Sequence, residues 1–335
     1  MMTNANQNAG LVVRGLTTTF DTARGTAIAA ADIDFDVAPG EVVGLVGESG
    51  SGKSVTLRSI MRLIREPGHV SGRVEWRGRD LVAMSPEELR RVRGSEIAMI
   101  FQEPMTALNP VLPIGLQIEE NLVAHTTLKS RERRARALEL MNIVGIPAPE
   151  RRLDEYPHQF SGGMRQRAMI AIALACSPQL LLADEPTTAL DVTIQDQILK
   201  LLLDLRDRLS MSVVLVTHDL GVVAATCDRM AVMYAGRIVE TGTVTDVFAR
   251  PRHPYTRGLL GSVPHSVISR TMLQSIKGTP PSLSNLPSGC SFHPRCSFAS
   301  EICLTQRPPL AAVTSEARKV ACFHHELVAA AEAII

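Results

Sequence analysis

The residues Gly47-Glu48-Ser49-Gly50-Ser51-Gly52-Lys53-Ser54 follow the pattern GxxxxGKS, the spacing at which a loop can close on phosphate groups. Small residues let backbone N–H groups approach phosphate oxygens, and a helix starting after the loop adds partial positive charge. In that geometry Lys53 reaches the β/γ-phosphates and the Ser54 hydroxyl coordinates Mg²⁺. Gly47, Ser49, Gly50, Ser51, Gly52, Lys53 and Ser54 are therefore candidate nucleotide-binding residues. A second constellation is Leu180-Leu181-Leu182-Ala183-Asp184-Glu185. An apolar run ending in two acids delivers carboxylates to the C-terminal edge of a strand, where α/β folds bind ligands. Asp184 suits the Mg²⁺ shell, and Glu185 suits the water that attacks a γ-phosphate. His218 closes the next apolar run, VVLVTHD, and could touch the same phosphate. Four cysteines crowd the C-terminal end, Cys290, Cys296, Cys303 and Cys322, spaced C-x5-C-x6-C-x18-C. Structural zinc sites favour closer C-x2-4-C pairs, and an iron–sulfur cluster suits these uneven gaps at least as well.

These groups need elements to position them. Residues 42–46 (VVGLV), 179–183 (QLLLA) and 213–217 (VVLVT) are continuous apolar runs, as strands covered on both faces should be. Helical stretches are expected from about residue 53 and over 193–209, so strands and helices alternate as in an α/β core with a largely parallel sheet. The region 85–177 reads as mainly helical. Ser85-Pro86-Glu87-Glu88 is a capping box with proline in the first turn. A second helix is expected over 131–144, stopped by Gly145; its basic start, KSRERRAR, reads as a solvated face. Proline and glycine thicken after Arg250, which places a boundary near Thr243 and a loop-rich tail beyond it.

Composition narrows the rest. With 335 residues, 45% hydrophobic content and a net charge of +1, the chain can bury a large core but carries no field that would attract a polyanion. The most apolar stretch, 168–176, is far shorter than the ~20 residues that span a bilayer. Residues 1–10, MMTNANQNAG, lack the apolar core of a signal peptide and are expected to form a short disordered lead-in. Cys176 and Cys227 stand apart from the other cysteines and are most simply small buried hydrophobes.

Taken together, these motifs resemble the nucleotide-binding domains of ABC transporters. The diagnostic piece is Phe160-Ser161-Gly162-Gly163-Met164-Arg165-Gln166-Arg167, similar to the family's signature, with Met164 where many members carry glutamine. Gln102 matches the glutamine joining the ATP core to the helical subdomain, Ala189-Leu190-Asp191 a loop at the dimer interface, and His218 the switch histidine. Phe20 is the candidate for stacking on adenine. Finer features resemble the oligopeptide/dipeptide/nickel import group: Tyr156-Pro157-His158-Gln159, Phe101-Gln102-Glu103-Pro104-Met105 and Arg252-His253-Pro254-Tyr255-Thr256. The tail Gly289-Cys290-Ser291-Phe292-His293-Pro294-Arg295-Cys296 is similar to that group's tail.

The resemblance implies an α/β P-loop NTPase, an ABC nucleotide-binding domain over residues 1–242 with a helical subdomain at about 85–177. A loop-rich C-terminal region with the four-cysteine motif follows over 243–335. It implies an ATPase coupled to import of di- or oligopeptides, of nickel or another small solute, or, outside transport, a soluble ABC ATPase. ATP and Mg²⁺ are the expected cofactors, with Ser54, Gln102 and Asp184 around the metal and Glu185 and His218 as catalytic residues. Ser161, Gly162 and Gly163 are expected to meet the γ-phosphate held by another ATPase subunit, a related but distinct chain, in a head-to-tail heterodimer. The resemblance also implies a [4Fe-4S] cluster on Cys290, Cys296, Cys303 and Cys322, with zinc or free thiols as the alternatives. The expected partners are two transmembrane permease subunits and, indirectly, an extracytoplasmic substrate-binding protein, with no nucleic acid. The expected place is the cytoplasmic face of the inner membrane.

Overall fold

The computed structural model describes residues 10–23, 25–188, 190–262, 276–313 and 318–331. The lead-in expected over residues 1–10 lies outside them except for Gly10, as does Ala189. The described residues divide into two compact units, one of Gly10, Val37–Glu41 and those within Ala83–Val216, the other of those within Leu11–Asp36, Val42–Val82 and Thr217–Ile335.

The first unit carries three parallel strands, with Leu180–Asp184 flanked by Ile97–Ile100 and Ser212–Thr217. All three are buried along their length, which is why their sequences are apolar without alternation. Helices Pro86–Val92, Ile114–His125, Ser130–Ile143 and Gly162–Ala173 belong to the same unit. The capping box at Ser85 forms, its side chain accepting from the Glu88 N–H while the Glu88 carboxylate accepts the Ser85 N–H. The strand Ile97–Ile100 interrupts what reads in the sequence as helical country. A four-residue apolar run fits a strand or a helix turn equally; pairing with Leu180–Ala183 settles it as strand. The long helix Val192–Leu209 buries Ile198, Leu202 and Leu205, positions i, i+4 and i+7 of one face.

The second unit contains an antiparallel sheet in the order Gly25–Val37, Leu11–Thr22, Gly68–Trp76, Arg79–Asp80. It also holds the strands Val42–Val46, Arg229–Tyr234, Arg237–Thr243, Lys319–Val320 and Ala311–Ala312. Val42–Val46 runs parallel to Arg229–Tyr234, and the remainder pair antiparallel. Ala235 and Gly236 both have positive φ, 48° and 78°, the two-residue turn that matches the twist of a hairpin.

The C-terminal region is anchored by a charge inside this unit. Glu240 has no solvent exposure and accepts the Arg252 N–H at 2.8 Å and the His253 N–H at 3.0 Å. Arg318, itself 4% exposed, closes an ion pair onto the same carboxylate. In the same unit Tyr234, Tyr255 and Phe292 pack together with ring centroids 4.6 to 5.5 Å apart. Among the described residues no helix is long and apolar enough to cross a membrane.

Candidate functional site

The phosphate loop lies in the second unit, between strand Val42–Val46 and helix Lys53–Ile60. Two of its glycines are required by contact. A Cβ on Gly47, at φ 151°, would lie 2.2 Å from the Met233 carbonyl oxygen; one on Gly52, at φ 102°, would lie 2.4 Å from that of Ala29. The loop is pinned from outside by the Gly236 N–H, which donates to the Ser51 carbonyl at 2.9 Å. Lys53 is 4% exposed and its ammonium spans the loop, donating to the carbonyls of Gly47 at 2.8 Å and Glu48 at 2.9 Å. Ser49 and Gly50 are exposed and Ser54 is half-buried. The loop thus sets the exposed Ser49 and Gly50 before a helix start, beside a buried cation, a setting suited to binding an anion.

The same unit holds Phe20 and His218. Phe20 pairs with Gly68 across the antiparallel sheet, and a Cβ on Gly68 would come within 2.7 Å of its ring. His218 is exposed, followed by Asp219, whose carboxylate accepts the N–H groups of Gly221 and Val222 and caps the helix Leu220–Thr226.

In the first unit, Asp184 ends its strand with no solvent exposure. Glu185 follows with φ 46°, a left-handed conformation that non-glycine residues adopt at a cost and that clusters at functional positions. Its N–H donates to the Val216 carbonyl at 3.0 Å. Its carboxylate accepts from Thr188 Oγ1 at 2.7 Å and from Gln102 Nε2 at 3.4 Å. The fold therefore brings Gln102 and Glu185 together from residues 83 apart in sequence. Thr188 was not among the candidates; its place three residues after Glu185 in a turn is the signal that could have found it.

Ser161 caps the helix Gly162–Ala173, accepting the Met164 N–H at 3.3 Å. Ser161 and Gly162 are exposed, so a helix start of twelve residues' length opens to solvent. A Cβ on Gly163 would sit 3.0 Å from Ile194 Cγ2, which holds that turn close to the helix Val192–Leu209.

Ser54, Gln102 and Asp184 offer a hydroxyl, an amide and a fully buried carboxylate. Each, taken within its own unit, is a hard oxygen donor of the kind Mg²⁺ takes.

The [4Fe-4S] cluster expected on Cys290, Cys296, Cys303 and Cys322 is corrected by the structure, and with it the reading of the tail as metal-binding or iron–sulfur. Among the described residues there is no group of three or more His, Cys, Asp or Glu side chains that could hold a metal ion. The physical reason is burial. Cys290, Cys296, Cys303 and Cys322 line, with Phe292, Phe298 and Phe323, a cavity of about 10 Å³, the room of about one water. Burial pushes the Cys290 thiol up, that of Cys296 to about 11 and that of Cys322 to about 12. Buried or half-buried beside Phe292, Phe298 and Phe323, these side chains pack as small hydrophobes. Cys227 behaves alike, half-buried against Gly44 with its thiol raised to about 11.

Comparison with known proteins places this geometry among others. Residues 30–188 match the ABC transporter family, and residues 239–303 match the C-terminal region of oligopeptide/dipeptide transporters. The oligopeptide transport ATP-binding protein OppD of Bacillus subtilis is 52% identical over 303 residues, covering 90% of this chain and 85% of OppD. AppD of the same organism, also an oligopeptide transport ATP-binding protein, is 51% identical over 296 residues, 88% of this chain and 90% of AppD. Among solved structures, the ATP-binding cassette MJ0796, a dimer in a post-hydrolysis state bound to ADP and Pi, is 30% identical. It superposes with a TM-score of 0.63 over 70% of this chain and 98% of its own.

Proposed function

The chain belongs to the ATP-binding subunits of ABC transporters, in the oligopeptide/dipeptide family, and from that premise we propose that its ATP hydrolysis drives import of di- and oligopeptides. The observation that carries the hydrolytic part is the Glu185 carboxylate, held between Thr188 and Gln102 on a left-handed backbone. The peptide part rests on the match of the C-terminal region and on what OppD and AppD are named for.

In this reading the backbone of Gly47 to Ser54 and the Lys53 ammonium bind the triphosphate, and Phe20 stacks on adenine. Ser54, Gln102 and Asp184 would hold Mg²⁺, which would supply positive charge against the transferred phosphoryl group. Glu185 orients the attacking water, and His218 contacts the γ-phosphate. Ser161, Gly162 and Gly163 present a capped helix start to the nucleotide of a second, related ATPase subunit, and its signature completes the site on this chain. ATP favours the closed pair over the open one, and that differential affinity is what moves the permease.

The surface just after Gln102 is where a coupling helix of a permease subunit would dock. Met105 is 58% exposed and Val111 73%, apolar groups that suit a partner helix. The assembly comprises the paired ATPases, two permease subunits and, on the far side, a substrate-binding protein; this chain works at the cytoplasmic face.

The test is uptake. A strain lacking this chain, complemented with wild type or Lys53→Ala, is given labelled di- and oligopeptides and, separately, radioactive nickel. Wild type restores peptide uptake and Lys53→Ala does not. Restoration of nickel uptake alone, or of neither, overturns the peptide reading.

A further inference from the structure

The loop that closes on phosphates contains an acid. Glu48 is the second of its residues, and a carboxylate beside a triphosphate repels it. Arg295, 247 residues later in the C-terminal region, takes that carboxylate in a two-pronged grip: Nη1 donates to Oε2 at 2.8 Å and Nη2 to Oε1 at 3.0 Å. Such fork-to-fork pairs are the strong kind. This one is also shielded, the Arg295 side chain being 5% exposed and that of Glu48 28%.

The guanidinium is fixed in turn. Its Nε donates to the Lys277 carbonyl at 3.0 Å, and it lies over the rings of Tyr234 and Phe292 at 5.8 and 5.9 Å. A second hold comes from the same region, where the Tyr255 hydroxyl accepts the Glu48 N–H at 2.8 Å. Residues of the C-terminal region thus touch both the backbone and the charge of the phosphate loop at Glu48.

We propose that Arg295 is a positioning residue for nucleotide binding, neutralising Glu48 and holding its carboxylate off the phosphates so that the loop accepts ATP. This rests on the reading of residues 47–54 as the ATP site. Arg295 meets the loop through the Glu48 carboxylate, so its proposed effect is electrostatic and has a sign. Loss of the arginine leaves an extra negative charge at the site, and loss of the acid leaves an extra positive one. A unit charge about 10 Å from a unit charge at a near-surface dielectric alters binding roughly tenfold.

The experiment titrates full-length protein with a fluorescent ATP analogue, in wild type, Arg295→Ala, Glu48→Gln, the double variant and Lys53→Ala. Arg295→Ala weakens binding roughly tenfold and Glu48→Gln tightens it. The double variant returns near the wild-type value, and the differences shrink at high salt. Wild-type affinity in Arg295→Ala overturns the inference. So does weakening in Glu48→Gln, or a double variant as weak as Arg295→Ala, since both mark a mere structural staple. Glu48→Gln keeps the arginine and its aromatic contacts, so its arm decides even if Arg295→Ala fails to fold. Lys53→Ala separates the two levels. If it binds ATP normally, the ATP-site reading itself fails; if it does not while Arg295→Ala does, only the present inference falls.

Discussion

Gly52→Ala should damage the phosphate loop far more than Gly50→Ala, though both glycines have positive φ, 102° and 77°. The left-handed torsion alone costs an alanine about 1–2 kcal/mol. At Gly50 a Cβ meets nothing within 4 Å, so the cost stops there. At Gly52 the Cβ would stand 2.4 Å from the Ala29 carbonyl oxygen and 3.3 Å from Met233 Cε, roughly 1 Å short of ordinary contact with the oxygen. Backbone cannot swing aside as a side chain can, so the overlap adds about 1–3 kcal/mol. Gly52 is also the N-cap of the helix that follows the loop. A displacement of about 1 Å in a binding geometry can cost on the order of a hundredfold. Titration with a fluorescent ATP analogue should show affinity reduced between about tenfold and a hundredfold in Gly52→Ala. Denaturant unfolding should give a loss of about 2–5 kcal/mol there and about 1–2 kcal/mol in Gly50→Ala. Equal effects of the two substitutions would refute the contact argument.

Two further outcomes concern the C-terminal region. Glu240→Ala removes the carboxylate paired with buried Arg318 and the acceptor of two N–H groups and should cost about 3–5 kcal/mol in urea unfolding; a loss under about 1 kcal/mol would contradict the anchor. Burial holds His253 neutral, its pKa lowered from 6.5 to about 3, while the unfolded chain takes up a proton below 6.5. Stability from this group is therefore complete above pH 6.5 and lost as the pH falls towards 3, amounting to about 2 kcal/mol at pH 5. His253→Asn keeps a capping side chain and should flatten stability between pH 7 and 5; an unchanged slope would show that other groups set it.

The elements that carry the candidate groups were legible wherever local sequence determines local structure. VVGLV and LLLAD announce buried strands because nothing in them is polar until the functional end, and Ser85 to Glu88 announces a cap because its partners lie within one turn. The antiparallel sheet Leu11–Thr22, Gly25–Val37 and Gly68–Trp76 went unread. A register shift between Arg14 and Thr17 breaks the alternation by which a half-buried strand is recognised. The pairing of Glu48 with Arg295 has no local trace at all, since it joins residues 247 apart. The cysteines show the opposite failure. Their spacing suggested a ligand set, but whether a thiol ligates depends on its charge and burial, which only the packed aromatic surroundings decide.

The most direct test of the hydrolytic account is Glu185→Gln, assayed for ATP binding and for phosphate release under the same conditions. Glutamine keeps the shape and an acceptor for Thr188 but removes the negative charge that activates water. ATP binding should stay within about twofold of wild type while phosphate release falls by about 10²–10⁴-fold, the usual worth of a positioned base. Phosphate release at the wild-type rate would contradict the role of Glu185 and, with it, the mechanism built on this site.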